Sequence, residues 1–220
     1  MKTAIGAAFR DRPRARAVAA CVAVGVVALD MAAARSWEYW DWRRAALPLL
    51  AVGSYLLLTR GDSKSLGLRL TPEQGIGYWV KATLLIGLAV GSVIAGFVGF
   101  FLLMGWRLPV FRLPPEYFWP VFLHACLYAP LVEEATYRLA LCAPGPAVVG
   151  AWGTVLVSGS LFAALHFLYG NPGPDNFVAG FFFAWTYLKS GSILVPIALH
   201  SLGNAVAMTG QVAAWYWWPL

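Results

Sequence analysis

Charge is scarce in this 220-residue sequence: only 12% of its residues are Asp, Glu, Lys or Arg, about half the share in a soluble globular domain. With 60% hydrophobic and 15% aromatic residues, a soluble core of this length could not hide the apolar surface. A bilayer is the solvent such a chain requires. Cysteine is nearly absent. Cys21, Cys126 and Cys142 lie in apolar runs without CxxC or other paired spacing, which supports neither a disulfide framework nor a cysteine zinc site. No HExxH stretch occurs, and no serine or cysteine is placed as a nucleophile beside a histidine. Ser201 abuts His200, but i,i+1 neighbours on a helix do not face each other. Acids are also few, leaving a net charge of +6, yet this excess does not mark a nucleic-acid partner. Five of the sixteen basic residues (Lys2, Arg10, Arg12, Arg14, Arg16) precede the first apolar run, where the cytoplasmic flank of a membrane helix should be basic.

Long apolar runs make up most of the rest. Hydropathy marks spans near 17–34, 45–59, 82–105, 117–142, 148–168, 177–189 and 192–210. The second contains Pro48 and covers only about 22 Å as a helix, so it is tilted or re-entrant. The fold expected is all-α, a polytopic transmembrane helix bundle of six to seven spans. Trp37, Trp40, Trp42, Trp79, Trp106, Trp119, Trp152, Trp215, Trp217 and Trp218 fall near span ends, and Trp185 well inside one; interfacial belts have this form. Ala32-Ala33-Ala34 could mimic the cleavage site of a secretory signal, but the run is long enough for a retained helix. Gly87, Gly91, Ala95 and Gly99 recur every four residues, a spacing that lets helix backbones approach closely. The polar connection 59–81 reads as a cytoplasmic loop with a surface helix after Thr71-Pro72. Lys and Arg are more numerous in the loops on the N-terminal side (adding Arg60, Lys64, Arg69 and Lys189) than opposite (Arg35, Arg43, Arg44, Arg107, Arg112), which orients the N-terminus inside.

From Tyr117 to the end, 104 residues contain five charges: Glu133, Glu134, Arg138, Asp175 and Lys189. Asp175 lies in a turn and Lys189 at a span end, so three charges share one apolar helix. Each costs about 2.5–3.5 kcal/mol at the bilayer centre, and such residues face a bundle interior or a wet cavity. Glu134 and Arg138 are one turn apart and can pair. Glu133 is rotated about 100° away and lacks that local partner; a carboxylate held beside a second carboxylate in a low dielectric is suited to take a proton from water. His166 follows Phe162 by one turn, and His200 precedes Asn204 by one turn. Taken singly, these pairs read as a structural salt bridge, a satisfied core histidine and interhelical polar glue. Together, on three spans with almost nothing else polar nearby, they point to one site. His124 stands outside the pairs and reads as a core or cavity histidine.

Glu133–Arg138 matches EExxxR, Phe162–His166 matches FxxxH, and His200–Asn204 matches HxxxN. In this order and spacing they resemble the signature of the CPBP family of CAAX prenyl endopeptidases, bacteriocin-processing relatives and other bacterial glutamic intramembrane proteases. The resemblance covers residues 115–209 and leaves the first 110 without a signature. It implies that Glu133 and His166 bind and activate the attacking water. His200 and Asn204 would form the oxyanion hole, Glu134 and Arg138 would hold the site together, and Phe162 would seat His166.

The implied activity is an intramembrane endopeptidase acting near the terminus of a membrane-anchored protein or peptide. Its medium is the lipid bilayer, with no nucleic-acid partner and no cofactor; the oligomeric state stays open. Composition suggests a bacterial inner membrane. The chain divides into a basic cytoplasmic tail (1–16), a membrane region (17–114), a catalytic bundle (115–210) and a Trp-rich interfacial tail (211–220). Two rivals use the same residues. Two histidines and a glutamate are an acceptable catalytic zinc set, and Glu133, Glu134 and His166 could serve a transporter or scaffold as a proton relay. Geometry adds a condition. Measured from a turn near Pro144, Glu133 lies about 16 Å and His166 about 33 Å away along straight helices. Their levels meet only if part of 144–152 leaves the helix or crosses sideways.

Overall fold

The computed structural model describes residues 1–36, 43–105, 111–171 and 173–217. These form an all-α bundle, without a strand among the described residues. The long helices are α1 (Pro13–Ser36), α2 (Arg43–Leu58), α3 (Ile76–Leu103), a continuous α4 over 118–142, α5 (Gly150–Leu168), α6 (Pro174–Ser190) and α7 (Leu194–Trp217). Among the described residues three stretches are long and apolar enough to cross a membrane on their own: Pro13–Ala33, Ile76–Leu103 and Gly150–Leu168. α2 and α6 are shorter, at 16 and 17 residues, while α4 and α7 carry the polar residues of interest. Trp37, Trp40, Trp42, Trp106, Arg107, Pro172 and Trp218 lie outside the described residues.

Several boundaries differ from expectation. Pro13 opens α1, where its missing N–H costs nothing, so Arg14 and Arg16 lie on the helix and not in a tail. The residues before it fold back onto the bundle, burying Ile5 and Phe9 completely. Gly6 N–H donates to the Ser65 carbonyl at 2.9 Å; its φ is +76°, and a Cβ there would sit 2.9 Å from the Ala143 carbonyl oxygen, so only glycine fits. The helix expected after Thr71-Pro72 is the start of α3 itself, which begins at Ile76. Arg43 and Arg44 open α2 and do not lie in a loop. Residues 211–217 continue α7 as helix.

α3 stands apart. A Cβ added at Gly87, Gly91 or Gly99 would meet nothing within 4 Å, so the small-residue seam packs against no other part of the described chain. Its one buried residue, Trp79, meets Trp185 edge-on at 6.1 Å.

α4 is the hub, packed by α1, α2, α5, α6 and α7. It is not a uniform helix: Leu123–Tyr128 and Ala135–Cys142 are π-helical and flank the α-helical Ala129–Glu134. Pro130 supplies a cause for the first widening, because its ring clashes with the carbonyl four residues earlier in a regular helix. In the second, side chains from neighbouring helices take carbonyls: Ser158 Oγ donates to Tyr137 O at 3.1 Å and Tyr55 Oη to Ala140 O at 2.7 Å. Pro144, which has no N–H to offer Ala140, explains why that carbonyl is available.

The connection 59–75 is tied to the α6–α7 turn. Ile193 N–H donates to Gly67 O at 2.9 Å, Glu73 N–H to Ser190 O at 2.8 Å, and Tyr187 Oη to Leu66 O at 2.7 Å. Thr3 Oγ joins the same face through Leu188 O at 2.8 Å. The break between α4 and α5 meets the condition set by helix levels. Gly145–Val148 forms a separate short helix, and Gly150, the first residue of α5, adopts φ +75°.

Candidate active site

Glu134 is fully buried, as is Arg138 one turn later on α4, and their Oε2 and Nε atoms lie 3.0 Å apart. The contact is charge to charge, with the N–H not aligned as a hydrogen bond. Arg138 reaches on to α6, donating from Nη2 to Gly180 O at 3.2 Å. Its guanidinium carbon lies over the rings of Phe162 (4.8 Å) and Phe183 (5.6 Å). An arginine without water thus keeps a counter-charge, a carbonyl and two aromatic faces, which together offset its desolvation. The close approach of α5 and α6 makes this possible: a Cβ at Gly180 would lie 2.9 Å from Gly159 O and 3.1 Å from Phe162 Cβ.

The second carboxylate oxygen of Glu134 meets α7. Its Oε1 lies 2.9 Å from His200 Nδ1, and the His200 ring stacks on Phe183 at 4.9 Å. Glu133 points elsewhere, as its 100° rotation requires. Its Oε2 accepts no hydrogen bond from the protein and lies 4.0 Å from His166 Nε2. His166 Nδ1 is 3.0 Å from the Phe162 carbonyl oxygen one turn back on α5. A carbonyl only accepts, so Nδ1 carries a proton, and in the neutral ring Nε2 faces Glu133 with its lone pair. The Phe162 ring lies beside the imidazole, centroids 4.4 Å apart, as their spacing predicts.

His200 and Asn204 share a face of α7 but make separate contacts. Asn204 Nδ2 donates to Ala125 O on α4 at 2.6 Å, while His200 turns to Glu134. His124 is buried on the first π-helical stretch, its ring 5.5 Å from that of Tyr128. Among the described residues no three His, Cys, Asp or Glu side chains group as metal ligands.

Comparison with known families matches residues 115–206 to the type II CAAX prenyl endopeptidase family described as Rce1-like. This segment is similar to the Rce1-like family. It is a protease family, and with the apolar helices it makes the chain an integral membrane protein. No curated protein and no solved structure matches the chain.

The Rce1-like segment does not complete the site's surroundings. Asp30 on α1 and Arg44 on α2 are buried together, with Nε 2.9 Å from Oδ1 and Nη2 3.3 Å from Oδ2. Tyr137 Oη, one turn after Glu133, donates to Asp30 Oδ2 at 3.4 Å. The Arg44 guanidinium carbon lies 5.2 Å from the Tyr169 ring centroid. Sequence reasoning placed Arg44 in an outside loop and passed over Asp30. A lone acid in the apolar run of α1 was the available signal.

Proposed function

We propose that the protein is a glutamic-type intramembrane endopeptidase that hydrolyses a peptide bond near the terminus of a membrane-anchored protein or peptide. The observation that carries this reading is the facing pair Glu133 Oε2 and His166 Nε2, 4.0 Å apart and both acceptors. A water making ~2.8 Å hydrogen bonds to both atoms fits between them. It donates both protons inward and keeps an oxygen lone pair for attack. Glu133 takes one proton as the water adds to the scissile carbonyl.

Charge then develops on the carbonyl oxygen. His200 Nε2 and the second N–H of Asn204 are the donors proposed for it, the first N–H being held by Ala125. His200 needs both ring nitrogens protonated to donate, and Glu134 supplies the counter-charge. Arg138 fixes Glu134 and takes no part in proton transfer. The N-terminal segment, the 59–75 connection and the α6–α7 turn lie on one face and carry most of the basic residues outside the spans. This supports a cytoplasmic N-terminus.

The test is cleavage of a membrane-tethered peptide by the full chain in liposomes. Glu133→Ala and His166→Ala should keep the wild-type thermal transition and lose cleavage. Wild-type rates in either folded variant would overturn the assignment.

A further inference from the structure

We propose that the buried Asp30–Arg44 pair, contributed by helices outside the Rce1-like segment, positions the His166 imidazole through Tyr169 and Tyr137. This rests on the reading of Glu133 and His166 as the water-activating pair. His166 sits in the last turn of α5, which ends at Leu168, and helix ends fray. Something beyond the helix must hold a ring there to tenths of an ångström.

Two arms reach it from the ion pair. On one side Arg44 lies over the face of Tyr169 at 5.2 Å, and Tyr169 meets the His166 ring edge-on at 6.4 Å and 84°. On the other side Asp30 accepts from Tyr137 at 3.4 Å. Tyr137 packs edge-on against Phe162 at 5.7 Å. Phe162 in turn gives its carbonyl to His166 Nδ1 at 3.0 Å. The imidazole is therefore held at its ring by one arm and at its tautomer by the other. Tyr137 also follows Glu133 by one turn, so both members of the water pair are referred to the same buried charge pair. Stability alone accounts poorly for Asp30 and Arg44, because apolar residues of similar volume often replace a buried ion pair without loss. Misplacing a reacting group by about 1 Å can cost about 100-fold in rate.

The test uses the full chain in liposomes with a membrane-tethered fluorogenic peptide. Asp30→Leu/Arg44→Met removes both charges together and leaves neither buried alone. We expect kcat to fall about 10- to 100-fold with KM changed by less than about twofold. Tyr169→Leu, which leaves the ion pair in place, should reproduce the fall in kcat and carries the test should the double variant not fold. NMR of isotope-labelled histidine supplies a readout independent of cleavage. His166 resonances, assigned with His166→Ala, should move in both variants while those of His200 stay. Unmoved His166 signals or wild-type kcat in a folded variant overturns the proposal. Wild-type cleavage by Glu133→Ala would instead remove the protease reading and the catalytic meaning of the pair, with the histidine spectra still deciding the coupling.

Discussion

Glu134 Oε1 lies 2.9 Å from His200 Nδ1, and the same carboxylate holds Arg138 Nε at 3.0 Å. One fully buried side chain therefore joins α4 to α7 while Arg138 extends the link to α6 at Gly180. Glu134→Gln leaves Arg138 buried without its counter-charge. We expect it to lose about 3–5 kcal/mol of stability, read from denaturant unfolding in detergent, together with cleavage. Glu134→Gln/Arg138→Met should regain much of the stability and none of the activity. Recovery of cleavage in that double variant would contradict the organising role given to Glu134.

Glu133 should behave in the opposite way. Its Oε2 accepts no hydrogen bond from the protein, so Glu133→Gln removes a buried charge at little structural cost. Stability is expected to stay within about 1 kcal/mol of wild type or to rise. Cleavage should fall about 100- to 10,000-fold, the range for a lost general base. Thermal transition and peptide cleavage measured on one preparation check both halves.

Asn204 holds the Ala125 carbonyl, and the oxyanion role proposed for it would use the same amide. Asn204→Ala leaves the Ala125 carbonyl without its 2.6 Å donor and should cost about 1–3 kcal/mol. Loss of an oxyanion donor adds about 100- to 1,000-fold in kcat. A kcat drop no larger than twofold in a folded Asn204→Ala protein would leave Asn204 as a helix clamp alone.

The α5–α6 contact is tight enough to be tested with one methyl group. A Cβ on Gly180 would lie 2.9 Å from Gly159 O. Gly180→Ala should push the helices apart and move the carbonyl that receives Arg138. A lowered thermal transition and reduced kcat are expected, about 1–3 kcal/mol as for overpacked cores. Gly87→Ala on α3, where a Cβ meets nothing within 4 Å, is the control and should change neither.

Chelation addresses the zinc alternative. His200 Nδ1 is engaged by Glu134 and His166 Nδ1 by the Phe162 carbonyl, which leaves each Nε2 as the atom a metal would take, but among the described residues no three His, Cys, Asp or Glu side chains group as ligands. The full chain, dialysed against a strong chelator, should keep its cleavage rate. Activity lost on chelation and restored by zinc would favour the metal reading.

Much of the candidate site's local pairing was legible in the sequence because α-helical spacing is local. One turn separates Glu134 from Arg138 and Phe162 from His166, and the structure shows both pairs in contact. The all-α class and the concentration of polar side chains in α4, α5 and α7 followed from the scarcity of charge in a chain that lipid must surround. The second widening in α4, Ala135–Cys142, was not legible, since it depends on Ser158 and Tyr55 arriving from other helices to take backbone carbonyls.

Periodicity says which residues share a face, and helix crossing says which faces meet. His200 and Asn204 share a face of α7, yet the fold turns one toward Glu134, 66 residues away, and the other toward Ala125, 79 residues away. Glu133 was recognisable from its own helix as the carboxylate without a local partner. That its free oxygen faces His166 was decided by the separate helix Gly145–Val148 and the turn at Gly150, which bring two spans to one level. Asp30 and Arg44 carry no motif at all. They join the site's surroundings because α1 and α2 pack on α4, and a buried charge in lipid must find its partner on another helix.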